Sequence, residues 1–248
     1  YINESSGLST PSFAANTITT ETDGSQSVYA IDIDNDGDMD VLSASTYDDK
    51  IGWYENNGSG GFTAHTISNN ADGAFSVYGI DIDHDGDVDV LSASSSDHQI
   101  VWYENNGSES FTSHIITTTA NGARSVYAID IDSDGDIDVL SASSGDDKIA
   151  WYENNGSESF TAHTITTNTD GAHAVYAVDI DTDGDIDVLS ASGIDDKIAW
   201  YENNGSGSFT AHTITTNADD AWSVYAIDLD ADGDIDVLST SAEDDKIA

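Results

Sequence analysis

The sequence predicts an all-β fold, a five-bladed β-propeller, from three observations. A 49-residue period runs through the chain five times. Each period holds four short runs rich in Val, Ile, Tyr, Phe, Trp and Thr, a strand-like composition. Turn signals separate these runs, and four strands per period of about 40–50 residues is the pattern of a propeller blade. A stacked solenoid would need atypical capping repeats, and the sequence has none.

In the second period the strands run from Ser76 to Asp83, Asp89 to Ser94, Gln99 to Glu104 and Phe111 to Ile116. The third and fourth are joined by Asn105-Asn106-Gly107-Ser108, and Asn-Gly is a strong hairpin-turn signal. Near the N-terminus, Phe13-Ala14-Ala15-Asn16-Thr17-Ile18 matches Phe62-Thr63-Ala64-His65-Thr66-Ile67. Ala248 stops where the other copies continue into Trp-Tyr-Glu-Asn. A single domain over residues 1–248 is expected, its ring closed by joining N- and C-terminal strands, which would remove exposed sheet edges. The break falls inside the third strand of a repeat, as expected for an excerpt of a longer array.

The first and second strands are joined by the most regular stretch of the chain. Its first copy is Asp32-Ile33-Asp34-Asn35-Asp36-Gly37-Asp38-Met39-Asp40. The acidic residues of the other copies are Asp81, Asp83, Asp85, Asp87 and Asp89; Asp130, Asp132, Asp134, Asp136 and Asp138; Asp179, Asp181, Asp183, Asp185 and Asp187; and Asp228, Asp230, Asp232, Asp234 and Asp236. Gly occupies position 6 of every copy, where a sharp backbone reversal resists a Cβ. Calcium takes about six to eight oxygen ligands, and carboxylates at positions 1, 3, 5 and 9 with the carbonyl of position 7 supply most of them. An EF-hand opens with the same Asp-x-Asp-x-Asp-Gly but needs a Glu at position 12 and flanking helices. Position 12 here is Ser43, Ser92, Ser141, Ser190 or Ser239, and the flanks are strand-like, which excludes the EF-hand. About five calcium ions are expected, one per repeat.

The net charge of −43 excludes nucleic acid as a natural partner and argues against anionic membrane surfaces. Of 48 acidic residues, 25 lie in the aspartate loops, so over half the charge has a structural address. The chain has no Cys, and calcium can do the stapling that disulfides do in other secreted domains. No apolar run approaches membrane-spanning length.

The run Ser125-Val126-Tyr127-Ala128-Ile129-Asp130-Ile131-Asp132-Ser133-Asp134-Gly135-Asp136-Ile137-Asp138-Val139-Leu140 resembles the calcium-loop repeat of the FG-GAP/VCBS family. The resemblance covers essentially the whole chain and implies a calcium-binding propeller like those of integrin α-subunits and several lectins. The family's Gly-Ala-Pro element is replaced here by Ser43-Ala44-Ser45 and its equivalents, and its Phe-Gly element is largely missing.

Several repeated residues have structural explanations. Trp53, Trp102, Trp151 and Trp200 share one strand position and are expected to pack between blades. His65, His114, His163 and His212 repeat on the outermost strand and do not converge, which disfavours a shared zinc site. Asp48-Asp49-Lys50 and its equivalents read as a solvated loop, with a second cation site as the alternative.

Against this near-identity, one position reads Gln26, Phe75, Arg124, His173 and Trp222. A second begins at Thr46-Tyr47 and differs in every repeat. In an up-and-down blade both emerge at the end opposite the aspartate loops. Gln26, Tyr47, Phe75, Arg124, His173 and Trp222 are the candidate ligand-binding residues, of types suited to recognition. The expectation is an extracellular, non-catalytic binding or adhesion module, monomeric and lectin-like, for a glycan or cell-surface partner. An accessory domain of a polysaccharide-degrading enzyme and a passive spacer are the alternatives.

Overall fold

The structure is a computed structural model that describes residues 2–3 and 13–248. Five antiparallel sheets follow one another along the chain, each strand pairing with its sequence neighbour. Blade 1 comprises Ser25–Ile31, Asp40–Ser45, Lys50–Asn56 and Phe62–Ser68, and blades 2, 3 and 4 repeat this plan from Ala74, Ala123 and Ala172. Blade 5 has three strands, Ala221–Ile227, Asp236–Ser241 and Lys246–Ile247. The fold class and the repeat length are those expected from the sequence.

The core lies between blades. One apolar cluster joins Leu91, Ile100 and Trp102 of blade 2 to Val126, Val139 and Tyr152 of blade 3, and equivalent clusters join blades 1 and 2, 3 and 4, and 4 and 5. The second strands of blades 2, 3 and 4, all Asp-Val-Leu-Ser-Ala-Ser, are buried along their whole length. Their alternating small residues let neighbouring sheets approach on both faces. Trp53, Trp102 and Trp151 are each flanked by a His of their own blade and a Phe of the next, and Trp200 by His212 of its own: Trp53 stacks on His65 at 4.3 Å and meets Phe111 edge-on at 6.4 Å. The tryptophans are therefore inter-blade packing, as expected. On the first strands, Tyr29, Tyr78, Tyr127, Tyr176 and Tyr225 form a file with ring centroids 4.7, 5.0, 5.1 and 4.9 Å apart.

Among the described residues, the terminal strands are not joined into one sheet. The strand Ile2–Asn3 pairs with Phe13–Ala14 as a two-stranded ribbon, and among the described residues neither pairs with the three strands of blade 5. Among the described residues, no apolar cluster joins blade 5 to blade 1. Val28 of blade 1 is 73 % exposed, whereas its counterparts Val77, Val126, Val175 and Val224 are 4–6 % exposed. On the other side of the opening, Tyr225, Ile227 and Leu229 of blade 5 are exposed too. Short hydrophobic strands with weak terminal copies do not by themselves determine which partner covers the last face.

This difference predicts unequal costs at one repeated position. Val126→Ala removes two buried carbon groups and should destabilise the fold by about 1–3 kcal/mol. Val28→Ala should stay within about 0.5 kcal/mol of the parent. Denaturant unfolding of the two variants checks this, and equal losses would mean that blade 5 covers blade 1 in solution.

Candidate functional site

Two groups of residues stand out, at opposite ends of the strands. Each aspartate loop brings carboxylate oxygens within 4.8 Å of one another. In blades 1 and 2 these come from positions 1, 3 and 5: Asp32, Asp34 and Asp36, then Asp81, Asp83 and Asp85. In blades 3, 4 and 5 they come from positions 1, 3 and 9, as in Asp130, Asp132 and Asp138. The backbone enforces the convergence. Position 6 glycines take φ of 95–100°, and position 4 is left-handed in every loop, even where it is Thr182 or Ala231 at φ 62°. A β-branched residue in that region costs about 1–3 kcal/mol, so the loop is over-determined by its surroundings. Asn35 and His84 are types that favour this conformation, whereas Ser133, Thr182 and Ala231 do not announce it.

The ninth aspartate has a second role that sequence reasoning missed. Asp40 Oδ2 accepts hydrogen bonds from Ile33 N at 3.2 Å and Trp53 Nε1 at 3.0 Å, and its Oδ1 accepts from Asn56 N at 2.7 Å. Asp89, Asp138 and Asp187 accept the same two backbone bonds. A buried carboxylate thus clamps the loop to the third strand. The Asn of that strand reaches back into the preceding blade, where Asn105, Asn154 and Asn203 donate to the carbonyls of Ile33, Ile82 and Ile131. The repeated Asp…Trp-Tyr-Glu-Asn spacing is the signal that could have revealed this brace. The seventh side chains Asp38, Asp87, Asp136 and Asp185 lie against the glycine of the nearby hairpin turn, away from the oxygen clusters.

These residues fit a hard cation. Asp81 Oδ1 and Asp179 Oδ1, at position 1 of their loops, are buried with no hydrogen-bond partner. An unpaired buried carboxylate oxygen is costly, and a cation would satisfy it. Burial pushes Asp89 and Asp138 up to about 7. Burial also raises Asp83, and the charges of Asp85 and Asp81 raise it further. A divalent ion would reverse this tendency by favouring the ionised forms.

At the other end, the loop into the first strand and the loop between the second and third strands are hydrogen-bonded together, as in Thr46 N to Gly24 O at 2.9 Å. The strand register skips one residue there in every blade, between Ser25 and Ser27, Ala74 and Ser76, Ala123 and Ser125, Ala172 and Ala174, and Ala221 and Ser223. The skipped residue is the divergent one. A β-bulge re-aims a side chain that regular alternation would place elsewhere.

Four of the five bulge residues converge. The Arg124 guanidinium lies 4.7 Å from the Phe75 ring centre and 5.9 Å from that of Trp222. Trp222 is 4.6 Å from His173 and 6.4 Å from Phe75, so residues from four blades share one cluster. Burial lowers the His173 pKa, and the Arg124 charge lowers it further, so the ring is neutral at pH 7. Among the described residues, no hydrogen bond or ring contact ties Gln26 or Tyr47 to this cluster. Tyr47 stands exposed on blade 1 with its ring against Gly24.

The remaining repeated polar groups are structural. His65 Nε2 meets Glu55 Oε2 at 2.8 Å, and the other three histidines repeat the pair. Lys148 Nζ lies 2.7 Å from Asp146 Oδ2 and donates to Thr119 O, while Asp147 Oδ1 accepts from Gly171 N at 3.0 Å. The Asp-Asp-Lys turn thus ties the loop before its blade, through the lysine, to the loop after it, through the second aspartate.

Comparison with curated protein sequences finds no match. Solved structures share the fold at low identity. An Agrocybe aegerita lectin with specific recognition of non-reducing terminal N-acetylglucosamine superposes with a TM-score of 0.66 and 17 % identity, over 96 % of this chain and 67 % of the lectin. The V. cholerae biofilm matrix protein Bap1 gives 0.56 and 16 %, over 92 % of this chain and 37 % of Bap1. A Lactobacillus plantarum protein gives 0.61 and 15 %, over 90 % of this chain and 69 % of that one. The model of the FG-GAP-like repeat matches residues 32–92, 81–141, 130–190 and 179–239, and the chain belongs to that family.

Proposed function

We propose that this chain is a calcium-stabilised, non-catalytic binding module of the extracellular space, with a carbohydrate ligand held at the end opposite the aspartate loops. The observation that carries this reading is the convergence of Phe75, Arg124, His173 and Trp222, the residues that differ among otherwise near-identical repeats. Flat aromatic faces stack on the apolar side of a pyranose ring, and Arg and His supply directional hydrogen bonds to its hydroxyl rim. The lectin among the structural neighbours supports a sugar. The small share of Bap1 that the chain spans supports a module that serves within larger proteins.

The calcium would be structural. The oxygens of positions 1, 3, 5 and 9 would hold it, and the ion would neutralise the carboxylates and stiffen the loop that braces the third strand. Extracellular modules bind calcium with dissociation constants of about 10⁻⁴–10⁻³ M. A tenfold excess over that constant stabilises by about 1.4 kcal/mol per site, or roughly 7 kcal/mol over five independent sites. Total domain stability is about 5–15 kcal/mol. EDTA should therefore lower the melting temperature sharply, and an unchanged melting curve would leave the loops as simple turns.

The pH dependence should change sign with metal. Asp89 and Asp138 are raised by burial to about 7, above the ordinary aspartate value near 4. Without metal, their contribution to stability is present below about pH 4 and is lost as pH rises through about 7. Bound calcium favours the ionised carboxylates, so acidification should then destabilise by releasing the ion. Melting curves between pH 5 and 8 should slope downward with pH in chelator and upward in calcium. Parallel slopes would argue against the ion.

Trp222 is the stacking surface best placed for a ligand, at 43 % exposure beside a shallow depression of roughly 370 Å³ lined also by Thr240, Ser241 and Ala242. On a glycan array in calcium, Trp222→Ala should lose at least about 1–2 kcal/mol of affinity, while its calcium-dependent melting stays that of the parent. Undiminished binding by the variant would place the sugar elsewhere.

A further inference from the structure

We infer that Arg124 makes this end of the molecule selective for carboxylated sugars, the uronic or sialic acid units of acidic glycans; this rests on the carbohydrate reading above. Arg124 is the single arginine of a chain with net charge −43. Three of the four lysines, Lys148, Lys197 and Lys246, are each paired with an aspartate. Among the described residues Arg124 enters no salt bridge, and its one hydrogen bond runs from Nε to Ser144 Oγ at 3.0 Å. That bond orients the guanidinium, and among the described residues its terminal Nη groups have no hydrogen-bond partner.

The setting makes an unpaired fork notable. Arg124 is half-buried, sits over the Phe75 ring and beside Trp222, and is flanked by a neutral His173. Cation–π contact offsets part of the lost hydration, but it satisfies none of the in-plane N–H donors. The planar guanidinium matches a carboxylate in two parallel hydrogen bonds, a geometry that lysine cannot reproduce. A sugar acid presents that carboxylate at the edge of a ring whose face can stack on Trp222. Asp220 bears on both Arg124 and His173 and sets a counter-charge at the rim, so an anionic ligand must engage the fork closely to be favoured. The β-bulge places this residue toward the cluster, and at the same position the other blades carry Gln, Phe, His and Trp, so the repeat offers one such fork.

The test uses the calcium-loaded chain and a panel of uronic- and sialic-acid oligosaccharides, each paired with its carboxyl-reduced form, with affinities measured by calorimetry. For at least one pair the acid should bind about tenfold tighter than the reduced sugar, as expected for hydrogen bonds to a charged group. In Arg124→Gln that ratio should fall to about one with the reduced sugar's affinity unchanged, and Arg124→Lys should not restore it. The variants also separate this site from the aspartate loops, because acid binding through loop-bound calcium would survive in Arg124→Gln and overturn the proposal. Equal affinity for the two forms in the parent would overturn the selectivity while leaving the carbohydrate reading intact. If no sugar of either form binds, both fall together.

Discussion

Like-charge repulsion inside the five aspartate loops is the constraint that the rest of the structure has to meet. Carboxylate oxygens gathered within 4.8 Å, some of them buried without a partner, raise the energy of the folded chain unless a cation compensates them. The protein does not relieve the repulsion by splaying the loops. It holds them in left-handed backbone at positions 4 and 6 and ties the ninth carboxylate to the third strand. Because Asn105, Asn154 and Asn203 carry that tie into the preceding blade, the electrostatics of each loop bear on an inter-blade contact as well. Loop charge and blade packing are one coupled system.

The two ends of the strands divide the work. At the aspartate end the loops share one sequence pattern and one repulsion, and blades 1 to 4 share the same brace to the third strand. At the opposite end the backbone is equally repetitive, with a bulge in every blade, yet the residue that the bulge presents changes from blade to blade. The scaffold repeats a position and the sequence varies what stands there. A ligand site built on rigid strand ends would avoid the ordering cost of a mobile loop.

Much of this was legible in the sequence. The 49-residue period, the alternation of strand-like runs and the Asn-Gly turns foretold blades, and they formed with the expected pairings. The tryptophans were correctly assigned to packing because a strictly repeated aromatic is more useful between sheets than on a surface. The convergence of Phe75, Arg124, His173 and Trp222 was legible only as divergence, since contact across blades depends on the bulge and on the tightness of the inner file of tyrosines. Gln26 and Tyr47 shared the pattern, but among the described residues no apolar cluster packs blade 1 against blade 5, and nothing ties these two residues to the cluster. How the terminal strands meet was less legible for a related reason: a repeat pattern specifies how a blade meets the next one but not what covers the last face.

Calcium stoichiometry is the most direct probe of the coupling between loop charge and fold. Equilibrium dialysis or calorimetry at millimolar calcium should find about five ions per chain, one for each loop, with oxygens at about 2.3–2.6 Å in a crystal grown in calcium. Two or fewer bound ions would contradict it, because most of the clustered carboxylates would then be held together without the cation that their geometry calls for.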